Sequence, residues 1–152
     1  ERRHVVWITG PPGSGKTTVT KRFQEYGFMA MDCEDPWAAG NRTKNLIRTS
    51  HEVFVNGASS YVFAACFLKI LRSKPSFVDT VLLFPNKRVY HQRWTTRNPN
   101  DNSKNDKQWL LAATMAKLFK NDASVSIIHQ STSECVDQTV FRICQNINVK
   151  HE

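Results

Sequence analysis

The stretch of this chain with the most chemistry in it is Gly10-Pro11-Pro12-Gly13-Ser14-Gly15-Lys16-Thr17. Its glycines let the main chain turn where a side chain would obstruct it, and the N–H groups so freed can point inward as a nest for anionic oxygens. A lysine follows, with its cation on a flexible stem, and then a hydroxyl of the kind that ligates a hard divalent cation. The order fits GxxxxGK[ST], the Walker A or P-loop pattern, over its full length. The chemistry it implies is capture of a nucleoside triphosphate. Lys16 reaches the β- and γ-phosphates, and the Thr17 hydroxyl holds Mg2+. Gly10, Pro11, Pro12, Gly13, Ser14, Gly15, Lys16, Thr17 and Thr18 are therefore the expected cofactor-binding residues, with ATP and Mg2+ as cofactors.

Other charged groups complete the candidate set. Asp32-Cys33-Glu34-Asp35 is an acidic cluster that follows a short apolar run. Asp32 or Glu34 is expected to approach the γ-phosphate, one orienting the Mg2+ shell and another accepting the proton of an acceptor hydroxyl. The metal set is then Thr17 and Asp32. Arg93 and Arg97 are four apart and share a helix face that leads into a polar loop. A transferring phosphoryl group needs mobile positive charge with water shut out, so both are candidate catalytic residues beside Lys16, Asp32 and Glu34. Arg48 and Trp37 are candidates for holding the acceptor, together with Asp32 and Glu34. The apolar runs ending at Cys66-Phe67 and at Phe84-Pro85 offer no terminal carboxylate, and Asp79 lies at the wrong end of its run. A guanine-reading NKxD motif is missing, because Asn86-Lys87-Arg88-Val89 is incomplete.

Local patterning supplies the elements that must position these groups. His4–Thr9 reads as a first strand. Lys16–Glu25 reads as a helix, with Val19, Phe23 and Tyr26 on one face, and Phe28–Met31 as a second strand closing on Asp32. A second helix is expected over Thr43–Val55, and Tyr61–Phe67 is expected to be a buried third strand. Val78–Phe84 contains the fourth strand, Asn86–Arg97 a helix, and Asn98–Lys107 a solvated loop without an apolar residue. A helix from Gln108 with the stripe Leu111, Met115, Leu118 leads to a fifth strand at Ser124–His129. Ser131 and Glu134 have capping-box spacing. Val136, Val140, Ile143 and Ile147 then form the face of a last helix. Strands alternating with helices imply an α/β protein with a five-stranded parallel sheet, buried between two helical layers. Trp7 and Trp109 read as core. His51, His91 and His129 have no metal-type spacing.

The 152 residues suit one domain, and 40% hydrophobic with 22% charged residues reads as globular. No apolar run is long enough to span a bilayer, so no membrane partner is expected. Glu1 opens the chain with neither an initiator Met nor a signal-peptide pattern, so the chain reads as trimmed. Cys33, Cys66, Cys135 and Cys144 form no CxxC pair and read as reduced thiols, which places the protein in the cytoplasm. The net charge of +8 favours an anionic partner, either a nucleotide with its phosphoryl transition state or a polynucleotide backbone.

Taken together, the P-loop, the acidic pair after strand two, the arginine-bearing helix before a polar lid and the capped last helix resemble the small P-loop kinases. The likeness is strongest to the shikimate-kinase and gluconate-kinase group and more distant to adenylate kinase. In layout it runs from His4 to Val149. It implies a three-layer α/β/α P-loop kinase fold in a single domain, 1–152, with a lid at about 98–107. In shikimate kinases a D-x-D pair after strand two touches Mg2+ and the acceptor, and Asp32-Cys33-Glu34 is similar to it. An arginine within F-R-x-x-E grips the acceptor's carboxylate there. Ile47-Arg48-Thr49-Ser50-His51-Glu52 is similar, with its acid displaced by one position. Ala64-Ala65-Cys66 stands where that family carries a glycine triplet after strand three, and the D-G-[FY]-P-R pattern of adenylate kinases is missing. Both departures argue against shikimate and AMP as acceptors. Arg97-Asn98-Pro99 resembles the family's lid arginine, and His129-Gln130-Ser131 occupies the place that lines the adenine pocket. The resemblance implies an ATP-dependent phosphotransferase acting on a small metabolite. Kinases of polynucleotide 5′-hydroxyl ends share the P-loop and the acidic arrangement, so a nucleic-acid acceptor stays open though less favoured. So does a nucleotide-binding module without transfer activity.

Overall fold

The computed structural model describes residues 4–11, 13–32, 52–56, 67–68, 71–72, 74, 78–100, 106–131 and 133–151. The central strand β1 (His4–Thr9) is an unbroken apolar run for a physical reason: helices cover it on both faces. Val5, Val6, Trp7 and Ile8 are accordingly all fully buried. The chain continues through α1 (Lys16–Glu25), β2 (Met29–Asp32), β3 (Glu52–Asn56) and β4 (Val78–Pro85). It ends through α2 (Lys87–Arg97), α3 (Lys107–Phe119), β5 (Val125–Gln130) and α4 (Val136–His151). The five strands are all parallel, in the order β2-β3-β1-β4-β5.

Alternation along each strand divides the core in two. On one face Val5, Trp7, Val53, Val78 and Leu82 pack under Phe67 and α3, which contributes Ala112, Met115 and Ala116. On the other, Val6, Ile8, Phe54, Val81, Leu83 and Ile128 pack under α1 and α4, through Val19, Phe23, Val140, Ile143 and Ile147. Phe23 stacks on Phe54 with ring centroids 3.9 Å apart, which pins α1 over β3. The two helical layers are those expected, but β2 is an edge strand with Met29 exposed, so not every strand is buried.

The expected third strand is misplaced. Strand β3 is Glu52–Asn56, overlapping the end of the span assigned to a second helix, whereas Phe67 and Leu68 are helical. Val53-Phe54-Val55 is a short apolar run that fits a helical stripe and a buried strand equally well. Pairing with β1 and β2 on both sides decides it. The described strand β3 therefore ends at Asn56, and the comparison drawn at Ala64–Cys66 lies outside the described residues. Residues 43–51 and 61–66 lie outside the described ones. On α3 the core face is Ala112, Met115 and Ala116, while Leu118 is 67% exposed, because the small residues admit closer approach to the sheet. The cap of α4 is also displaced. The Gln138 side chain accepts the Cys135 N–H at 2.8 Å, while Glu134 pairs with Arg142. Among the described residues, no helix is long and apolar enough to cross a membrane.

Candidate functional site

The P-loop joins the carboxyl end of β1 to the N-terminus of α1. Gly10 must be glycine because an added Cβ would lie 2.5 Å from the Leu83 carbonyl oxygen on β4. Gly15, at φ 81, is the left-handed N-cap of α1. The first turn of α1 contains no acidic residue, so its positive end is not answered by a carboxylate of its own. Backbone N–H groups of such a helix start form an anion site.

Two distant groups and the loop's own lysine brace the loop. The Gln130 amide donates to the Ser14 carbonyl at 2.9 Å, tying the loop to the end of β5. The Arg93 guanidinium donates to the Gly13 carbonyl, tying it to α2. Lys16 folds back inside, its Nζ donating to Gly10 O at 2.6 Å and Pro11 O at 3.2 Å. Burial pushes the Lys16 ammonium down to about 7; Arg97 lowers it further and Asp32 opposes both. The Arg93 guanidinium is also lowered, first by burial and then by Arg97, with Glu134 opposing.

Asp32 is exposed at the last position of β2, level with Asn56 of β3 and, through it, Ile8 of β1. Two strand spacings, roughly 10 Å, separate Asp32 from β1 at this edge. Its charge reaches Lys16 there. Thr17 and Thr18 are exposed on the first turn of α1. The structure thus brings Lys16, Asp32, Arg93 and Arg97 to one edge, beside the P-loop. Glu34, Trp37, Arg48 and Pro12 lie outside the described residues. Among the described residues no group of three or more His, Cys, Asp or Glu side chains could hold a metal on its own. Thr17 and Asp32 are hard oxygen donors of the type Mg2+ accepts alongside phosphate oxygens and water.

Beyond the loop opens a cavity of about 340 Å³. Its floor is Gly15, Thr18 and Val19, and one wall is α2 with Arg93, Thr96 and Arg97. The opposite wall is Gln130 with Cys135, Val136 and Thr139 at the start of α4. Glu134 holds that wall. It accepts the Thr139 hydroxyl at 2.6 Å and pairs with Arg142, which also donates to the His129 carbonyl. The family resemblance put Gln130 at an adenine pocket; the structure places it on this cavity, gripping Ser14. The sequence missed Cys135 and Thr139, for which only the capping pattern before α4 was a signal. The loop between α2 and α3 is anchored at its base, where His91 hydrogen-bonds Asp106 and Lys87 lies 3.7 Å from the same carboxylate.

No protein-family model matches the chain, and a search of the curated proteins found no match. Solved structures do match in fold. A gluconokinase from Sinorhizobium meliloti 1021 superposes with a TM-score of 0.57 at 14% identity, over 97% of this chain and 94% of that one. A shikimate kinase from Acinetobacter baumannii, in complex with shikimate, gives 0.58 at 16%, over 97% and 94%. A deoxyadenosine kinase from M. mycoides with bound dATP gives 0.54 at 13%, over 95% and 99%. All are P-loop kinases, and each is matched over nearly its whole length. The P-loop at the head of a parallel sheet ordered β2-β3-β1-β4-β5, set between two helical layers, is the α/β fold of the small-molecule P-loop kinases.

Proposed function

We propose that this chain is an ATP-dependent phosphotransferase that moves the γ-phosphate to a hydroxyl or phosphate group of a small metabolite. One observation carries the reading: Lys16, buried in the P-loop, lies within electrostatic reach of both Asp32 and Arg97. A passive phosphate cradle needs neither. The base and ribose take the cavity between α2 and the start of α4, and the phosphates cross Gly13–Gly15 to Lys16. Mg2+, when bound, would supply neutralisation of the triphosphate's charge. Thr17 and Asp32 are the residues that would hold it. Asp32 or Glu34 accepts the acceptor's proton, and Arg97 meets the charge that develops on the transferring phosphoryl group. Arg93, bonded to Gly13, acts by positioning the loop. Arg48 and Trp37 are assigned to the acceptor. Catalysis is then mostly orientation and charge. The chain works as one domain, and the unpaired thiols of Cys135 and Cys144 support a reducing, cytoplasmic setting.

A second reading, transfer to a polynucleotide 5′-hydroxyl, is favoured by the +8 charge and by α2, which carries Lys87, Arg88, Arg93 and Arg97 and no carboxylate. It predicts oligonucleotide binding that weakens steeply with salt. A third, nucleotide binding without transfer, predicts no product with any acceptor.

The test is ADP release across a panel of sugars, hydroxy acids, nucleoside monophosphates and a 5′-hydroxyl oligonucleotide. Asp32→Asn is expected to lower turnover by about 10²–10⁴. Absence of acceptor-dependent ADP release across the panel would overturn the transferase reading in favour of the binding module.

A further inference from the structure

We propose that Cys135 is a modification site gated by the nucleotide: its thiol reacts when the cavity is empty, and the adduct then excludes nucleotide. This rests on reading the cavity as the nucleotide pocket. Cys135 is exposed and free, and it lines the cavity at the start of α4. Its backbone is held at both ends, the N–H by Gln138 Oε1 at 2.8 Å and the carbonyl by the Thr139 N–H at 3.2 Å. The thiol is therefore presented from a fixed point and not from a loose loop. Independently, the same cavity is lined by Gln130, which is 94% buried (6% exposed) and whose Oε1 has no hydrogen-bond partner. An unpaired buried acceptor is costly, and a donor group of a ligand entering the cavity would relieve that cost.

Two further features define the reagent and the consequence. Arg93 and Arg97 share the cavity, so anionic reagents are drawn to it. The reagent class is a low-molecular-weight disulfide such as glutathione disulfide. The Cys135 thiol gives its proton to solvent, and the thiolate attacks one sulfur of the reagent. A new S–S bond forms, the reagent's S–S bond breaks, and the leaving thiolate takes the electron pair. The cavity, at about 340 Å³, is near the lower end for ligand pockets. A tripeptide tethered at Cys135 and a nucleoside would compete for that space. The gate thus works in both directions, since whichever occupant arrives first shuts out the other.

The experiment uses the intact chain. Mg–ATP affinity is first measured by calorimetry. N-ethylmaleimide labelling is then followed by peptide mass mapping with and without Mg–ATP, with half-buried Cys144, outside the cavity, as internal reference. At nucleotide a hundred times its Kd only about 1% of the sites are free, so Cys135 labelling should slow about 100-fold while Cys144 is unaffected. Protein treated with glutathione disulfide should lose at least about tenfold in affinity and regain it with dithiothreitol. In Cys135→Ser the same treatment should leave that variant's own affinity unchanged. If ATP binds but Cys135 is labelled equally fast with and without it, or the adduct binds ATP as before, the gate is overturned and the nucleotide reading stands. If no nucleotide binds the unmodified chain, the nucleotide reading falls and the gate with it.

Discussion

Lys16 should take up a proton when a triphosphate binds. In the empty site burial holds its ammonium at about 7 rather than 10.5, with Arg97 lowering it further and Asp32 pulling it back. That gap corresponds to a charged-state penalty of about 5 kcal/mol. Bound phosphates supply the missing negative charge and return Lys16 towards its ordinary value. At pH 8.5 the empty site is almost wholly neutral and the filled one almost wholly charged, so about 0.9 of a proton enters per nucleotide. Nucleotide affinity should then fall about tenfold per pH unit above 7, and vary little with this group below it. The assay is calorimetry in two buffers of different ionisation enthalpy, at a pH well above the second pKa of a phosphate, about 6. For the empty protein the sign is the reverse of a salt-bridged lysine. The folded value lies below the unfolded one, so the unfolded chain binds more protons between pH 7 and 10.5, and stability rises with pH across that window. Lys16→Met should accordingly stabilise the empty fold at pH 6 by about 1–4 kcal/mol. It should also abolish the proton uptake. Uptake below about 0.2 proton at pH 8.5, or equal uptake by Lys16→Met, would refute the reasoning.

Two further substitutions probe the bracing of the loop. Gly10→Ala places a methyl 2.5 Å from the Leu83 carbonyl, a backbone atom that cannot swing away, and 2.7 Å from Ser14 Oγ. It should cost about 1–3 kcal/mol, read as a lower denaturant midpoint with an unchanged slope; an unchanged midpoint would show that the loop does not pack on β4. Arg93→Ala removes the bond to Gly13 and should cost about 1.5–3 kcal/mol of stability. It should raise nucleotide Kd about tenfold, with KM rising far more than kcat falls and Arg93→Lys restoring part of the binding. A fall in kcat of about 100-fold at unchanged Kd would make Arg93 catalytic instead of positioning.

Helix α1 was legible in the sequence to the residue, because the glycine loop before it and Gly27 after it are local stops and its apolar face repeats every turn. Strand β1 and the last helix were read from equally local signals, a β-branched run and a four-residue stripe. Strand β3 was not legible. Val53, Phe54 and Val55 fit two periodicities, and the choice lies with Val5, Val6 and Trp7 on one side and Met29, Ala30 and Met31 on the other. The capping pattern before α4 was read in the wrong frame for a related reason. Glu134 was claimed by Arg142 and Thr139, partners that become neighbours only once α4 has formed.

The sequence by itself determined that a glycine-rich loop with the full GxxxxGK[ST] pattern joins β1 to α1, since its eight consecutive residues carry their conformational needs in their types. Only the tertiary structure decided what surrounds it. Gln130 reaches Ser14 across 116 residues and Arg93 reaches Gly13 across 80. Asp32 acts on Lys16 only through its charge, because β3 lies between β2 and β1 and both strands end at the same edge. Cys135 meets the cavity because β5 lies beside β4. Such contacts follow from strand order, which is settled by burial summed over the whole sheet, and no local stretch of residues carries that sum.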